Sequence, residues 1–242
     1  MSLEHYWSGE RSTYQLVRFP GQADCLIDGR RVQVTPADGL QPGELDRLLV
    51  SQLLPRLMSS RGRLVLHASA VTAAGGAIGF LGPSGAGKST LSAYLASTGK
   101  PILADDCLVI IPEANGGARA LPNYSGSRLS PDTVAWLYPT SRSHKGQKNR
   151  VHLPDCASQS ALKALFLIES SSSVTCEPLE ARERVVQLLR NSFQLGSSQR
   201  SERARLLEQL VTLARSVPCY RLAYPREYER LGEVARLLEG YV

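Results

Sequence analysis

Residues Gly82-Pro83-Ser84-Gly85-Ala86-Gly87-Lys88-Ser89 fit the pattern G-x-x-x-x-G-K-[ST], and Ala104-Asp105-Asp106 follows soon after. In a loop of the first kind, backbone N–H groups cradle phosphate oxygens, the lysine reaches the β- and γ-phosphates, and the hydroxyl ligates Mg²⁺. Those roles fall here to Lys88 and Ser89, with Thr90 closing the nucleotide-binding stretch. The aspartate pair puts two carboxylates where they can meet a metal ion and a reacting hydroxyl. Together the two stretches imply nucleotide-dependent phosphoryl transfer, with ATP and Mg²⁺ as the expected cofactors.

Such a loop works only between a strand and a helix. Gly76-Ala77-Ile78-Gly79-Phe80-Leu81 is an apolar run of strand length. After Lys88, Leu91 and Leu95 stand one helical turn apart, and Gly99 and Pro101 supply stop signals. The glycines permit close backbone approach, and a helix N-terminus favours an anion. Pro101-Ile102-Leu103-Ala104 is the next expected core strand, delivering Asp105 and Asp106 at its carboxyl end, where open α/β sheets bind ligands. Adjacent residues of an extended strand point to opposite sides, so both aspartates can face a nucleotide only if the strand turns there.

Elsewhere the pattern predicts strands over 14–19, 24–28 and 31–34, with a hairpin turn at Asp28-Gly29. Pro42 opens a helix carrying Leu45, Leu48, Leu49, Leu53 and Leu54, which Pro55 should bend or end. Further strands are expected over 64–66, 70–71, 107–111, 162–168 and 220–224. Helices are expected over 131–137, 181–190, 202–215 and 227–239. Asn115-Gly116-Gly117 reads as a turn, 140–150 as a polar, basic stretch, and Ser197-Ser198 as a loop. The chain shows no internal repeat.

At 242 residues and 43% hydrophobic composition, the chain can bury one sizeable core. Mean hydropathy is −0.15, and no apolar run is long enough to span a bilayer. Five cysteines, at 25, 107, 156, 176 and 219, are scattered without a C-x-x-C pair, so free thiols in a reducing cytoplasm are expected. The four histidines have no metal-ligand spacing with them. The net charge of +6 is partly intermixed with Glu180, Glu183, Glu202 and Glu208, the pattern of a solvated helix face rather than a nucleic-acid groove.

The chain resembles the HPr kinase/phosphorylase superfamily, particularly its small stand-alone members in lasso-peptide gene clusters. The resemblance rests on Leu66-His67-Ala68-Ser69-Ala70-Val71, Gly82–Thr90, Leu103-Ala104-Asp105-Asp106 and, towards the C-terminus, Val217-Pro218-Cys219-Tyr220-Arg221-Leu222. His67 precedes Lys88 by 21 positions and Asp106 follows it by 18, both as in that family. The implied fold is α/β, a P-loop HPr-kinase-like (PEP-carboxykinase-like) core over 61–242 behind a small β-rich N-terminal lobe with a connecting helix over 1–60. In that reading Asp106 accepts the proton of the attacking serine hydroxyl, Asp105 helps hold Mg²⁺, and His67 belongs to the active site with Lys88. The implied substrate is a serine-type hydroxyl on a peptide or small protein, and the family's hexamers suggest a homo-oligomer by analogy alone.

The chain also departs from the family. About 60 N-terminal residues cannot hold the larger N-terminal domain of full HPr kinases. Their metal-associated glutamate falls near Pro131, which cannot serve, and Asp132 is the nearest carboxylate, readable also as a helix cap. Arg128, Lys145, Lys148 and Arg150 suit a phosphate or acidic segment, and ordinary loop solvation equally. Two other functions fit the loop: a small-molecule hydroxyl kinase, and a nucleotide-dependent switch or ATPase acting on a protein partner. Against a transport ATPase, Leu165-Phe166-Leu167-Ile168-Glu169 ends in one acid only, and no Leu-Ser-Gly-Gly-Gln occurs.

Overall fold

The computed structural model describes residues 6–7, 14–73, 75–113, 116–123, 127–139, 149–151, 158–194 and 200–241. Asn115, the basic stretch with Lys145 and Lys148, Cys156 and the Ser197-Ser198 loop lie outside them. Strands β1 (Tyr6–Trp7), β2 (Tyr14–Phe19), β3 (Ala23–Asp28) and β4 (Arg31–Pro36) pair antiparallel in that order, with Asp28 opposite Arg31 at the expected turn. Their period of two gathers Val17, Phe19, Cys25 and Ile27 on one face. Leu48, Leu53 and Leu57 cover that face from α1 (Pro42–Leu48), a π-helical turn (Leu49–Leu53) and α2 (Leu54–Ser60).

Of the two outcomes expected at Pro55, a bend or an end, the helix does not end there but runs on to Ser60. A proline inside a helix lacks a donor and crowds the carbonyl four residues back. The π turn, in which the Leu54 N–H bonds the Leu49 carbonyl, absorbs that misfit upstream. Pro55 then sits in the first turn of α2, where no donor is needed.

The larger sheet follows. Its first part comprises β5 (Leu64–Leu66), β6 (Ser69–Ala73), β7 (Gly76–Leu81), α3 (Lys88–Ser97), β8 (Ile102–Ala104), β9 (Leu108–Pro112) and β10 (Ala118–Leu121). A separate pair, β11 (Ser127–Leu129) and β12 (Asn149–Val151), brackets α4 (Pro131–Leu137). Then come β13 (Ser160–Ser170), β14 (Thr175–Pro178), α5 (Ala181–Arg190), α6 (Arg200–Ser216), β15 (Cys219–Tyr224) and α7 (Leu231–Leu238), the last flanked by short 3₁₀ turns. The strand order is β5-β9-β10-β13-β7-β6-β8, with β15 also on β13 and β14 on β15.

Strands β7, β13 and β15 are mutually parallel. Because β6 is antiparallel to both β7 and β8, β8 runs with β7. The carboxyl ends of β7, β8 and β15 therefore open on one edge of the sheet, with β8 and β15 on opposite sides of β7.

Helices cover both faces, which explains why β7 and the centre of β13 are buried throughout rather than alternating. Leu188 of α5 and Leu210 and Leu213 of α6 pack on Leu81, Leu165 and Leu167. On the other face, Leu91 and Leu95 of α3, Val134 of α4 and Val234 and Leu238 of α7 pack on Ile78, Phe80 and Phe166. Among the described residues, no helix is long and apolar enough to cross a membrane.

Candidate active site

The loop between β7 and α3 turns on Gly85 and Gly87, at φ 81° and 99°, a region that side-chain-bearing residues rarely enter. Gly87 is also the N-cap of α3 and supplies no side-chain cap, so the first N–H groups of the helix are left for a ligand. Lys88 is 6% exposed and lies back over its own loop, its Nζ donating to the carbonyls of Gly82 (2.7 Å) and Pro83 (3.2 Å). Asn191, just past α5, accepts the Gly82 N–H through Oδ1 at 3.1 Å and so holds the start of the loop.

Strand β8 stops at Ala104, ahead of both aspartates. Asp105 is 1% exposed. Its Oδ1 accepts from Ser69 Oγ of β6 at 2.5 Å and from Ser89 Oγ of the phosphate loop at 3.0 Å. Burial and the neighbouring Asp106 charge hold the Asp105 carboxyl above the usual carboxylate range, against the stabilising hydroxyls. Ser127 lies close enough to add to that stabilisation, but its buried Oγ makes no well-formed hydrogen bond. Asp106 has φ 63°, and among the described residues it alone enters this region without being glycine. That backbone reversal sends β9 to the far side of the sheet, against β5 and β10, rather than continuing β8. Non-glycine residues adopt this conformation at a cost of about 1–3 kcal/mol, and such residues cluster at functional sites.

His67 follows β5 and meets Asp106 through the backbone, its Nδ1 lying 3.0 Å from the Asp106 carbonyl oxygen. With Nδ1–H as the donor, Nε2 is the free acceptor. Burial, reinforced by the Lys88 ammonium, pushes the His67 pKa below the ordinary histidine value, so the ring is neutral at pH 7. Its backbone N–H bonds the Asn191 carbonyl at 2.6 Å, and its ring meets Phe193 edge-on at 5.8 Å. Arg56 of α2 caps the same Phe193 ring at 5.4 Å, tying the N-terminal helices to this corner.

The donor set around Ser89 suits Mg²⁺: a buried carboxylate, a serine hydroxyl bonded to it, and the orphaned Ser127 Oγ, all hard oxygens. No cluster of three or more His, Cys, Asp or Glu that could hold a metal ion occurs among the described residues. Ser89 and Asp105 would hold the Mg²⁺, and it would neutralise charge on the bridging phosphates.

Lys88, Ser89, Asp105, Asp106 and His67 thus converge at one edge of the sheet. Asp132 does not join them by any hydrogen bond among the described residues. It is exposed in the first turn of α4, and the cap it was expected to provide is Ser130, whose Oγ accepts the Thr133 N–H at 3.3 Å. Arg128 lies on β11, opposite Arg150 of β12. Sequence reasoning passed over Ser69, Ser127 and Asn191. A serine inside the apolar run Ala68–Val71 is a readable signal for Ser69, whereas nothing local marks Asn191, which is 109 positions from its partner.

Fold and site define a P-loop α/β protein with a carboxylate pair beside its phosphate loop. The chain belongs to the ScmC family: residues 48–230 match the family described as "SynChlorMet cassette protein ScmC". That span holds the whole larger sheet, the loop and both aspartates. Among solved structures, the chain is similar to the Hpr(Ser) kinase/phosphatase from Coxiella burnetii, at 9% identity over 73% of this chain and 94% of that one, with a TM-score of 0.39. No curated protein sequence matches the chain.

Proposed function

We propose that this protein is an ATP-dependent, Mg²⁺-requiring kinase that phosphorylates a serine-type hydroxyl on a peptide or small protein, in the tailoring of a ribosomal peptide of lasso type. The observation that supports it most is the junction at β8: Asp105 bonded to the loop serine at 3.0 Å, and Asp106 turned out of the strand beside it. One carboxylate is committed to the phosphate side, which leaves the other for the acceptor. In this reading the Asp106 carboxylate takes the proton of the acceptor hydroxyl as its oxygen bonds to the γ-phosphorus. The bond from that phosphorus to the β-phosphate oxygen breaks, and ADP leaves with the electron pair. Lys88 exchanges its two loop carbonyls for phosphate oxygens, and the uncapped start of α3 faces the same charge. Positioning and charge stabilisation supply most of the catalysis in such transfers.

The family description speaks of a cassette, which directs the search for the acceptor to the products of neighbouring genes. Incubating the protein with ATP, Mg²⁺ and those peptides, followed by mass spectrometry, is expected to show one phosphoryl group gained at a serine. Partner-stimulated phosphate release without a phosphorylated acceptor would replace the kinase reading with a nucleotide switch.

A further inference from the structure

On the β15 side of the phosphate loop lies an open cleft of about 160 Å³ that takes no part in the chemistry above. Gly85, Gly87 and Thr90 form one wall, and Tyr224, Arg226 and Tyr228 form the other. The walls are tied together, since Arg226 Nη1 donates to the Gly85 carbonyl at 2.7 Å. They also approach closely: a Cβ on Gly87 would stand 3.4 Å from the Tyr224 hydroxyl. Tyr228 is held rigidly. Its ring stacks on Trp136 at 5.1 Å and 18°, Trp136 rests against Tyr94 at 5.8 Å, and the Tyr228 hydroxyl pairs with Thr133 Oγ1 at 3.1 Å.

We infer that this cleft is the nucleoside subsite: the base lies against Tyr228 and the ribose passes Gly87 and Thr90 towards the loop. The inference rests on the phosphate-loop reading above. The sheet order supplies the direction. Asp105 and Asp106 follow β8 on one side of β7, so the terminal phosphate points that way and the rest of the nucleotide must leave on the β15 side. An aromatic ring already fixed by a stacked partner and a hydroxyl contact loses little freedom when a flat base adds to it.

Trp136 makes the subsite observable. The chain has two tryptophans, so Trp7→Phe leaves Trp136, stacked on Tyr228, as the sole tryptophan, which is excited selectively over the tyrosines at the red edge of absorption. In that background, Mg·ADP is expected to change the emission saturably, and Mg·pyrophosphate, which has no base, to leave it nearly unchanged. Equal responses to the two would overturn the assignment. Calorimetry separates it from the phosphate-loop reading: Tyr228→Ala should weaken ADP about tenfold and spare pyrophosphate. An equal loss for both ligands, or none for ADP, refutes the subsite. If Lys88→Ala leaves pyrophosphate binding intact, the phosphate loop itself is misassigned. Should Tyr228→Ala fail to fold, the comparison of ADP with pyrophosphate on the Trp7→Phe protein decides alone.

Discussion

The two sides of the phosphate loop are built from different materials. On the β8 side the walls are hydroxyls and carboxylates: Ser69, Ser89 and Ser127 surround a fully buried Asp105, and His67 props the reversed backbone of Asp106. On the β15 side Tyr224 and Tyr228 line the cleft beside Arg226 and Glu227, and Trp136 backs Tyr228. Charge is expensive to bury, so a carboxylate kept at 1% exposure above its usual pKa range is maintained at a cost to the folded state. Aromatic walls add stability while presenting a flat surface. One side is therefore shaped for chemistry and the other for recognition, and the loop between them is shared.

Substitutions should separate the two sides. The largest loss is expected from Lys88→Ala, which removes the cation from the shared loop. Phosphoryl transfer should fall ~10³-fold, the upper end of the range seen when one preorganised charge-stabilising group is deleted. Retained activity in a steady-state assay would remove the loop from the mechanism. Next comes Asp106→Asn, expected to slow transfer about 10²-fold while Mg·ADP binding stays near normal, because a general base acts on the acceptor and not on the nucleotide. Equal loss of binding and turnover would move Asp106 from the acceptor to the phosphates.

The sequence reveals the loop because its chemistry is local: eight consecutive residues carry the glycines, the lysine and the hydroxyl. Long apolar runs such as β7 and β13 are legible for a similar reason, since burial on both faces leaves no polar interruption. What stayed hidden depends on distant partners. Short strands such as β10 and β14, four residues each, owe their pairing to β9, β13 and β15 rather than to their own pattern. Pro55 reads as a bend or an end in one dimension, yet the upstream π turn lets the helix continue. The aromatic wall is scattered over Trp136, Tyr224 and Tyr228, and only the packing of α4 against the segment after β15 brings it together.

Asp105→Asn tests whether the β8 side is maintained at a cost. Removing a buried charge while keeping an acceptor for Ser69 and Ser89 should leave the ligand-free protein as stable as before, or up to about 1 kcal/mol more stable. The same change should cost about tenfold in the gain in ADP affinity that Mg²⁺ provides. Denaturant unfolding and calorimetry with and without Mg²⁺ read the two effects separately. A variant both less stable and unchanged in its Mg²⁺ response would make Asp105 a structural residue.

The smallest effect concerns His67, and its sign follows from its environment. The folded pKa is depressed, so between that value and the ordinary 6.5 the unfolded chain binds more protons than the folded one. Stability from keeping the ring neutral is therefore complete above pH 6.5 and is lost as the pH falls towards the folded value. His67→Gln can still donate to the Asp106 carbonyl but does not titrate. Between pH 7.5 and 5.5 the natural protein should lose more of its unfolding free energy than this variant does. Parallel losses would mean that the ring is not held neutral against Lys88.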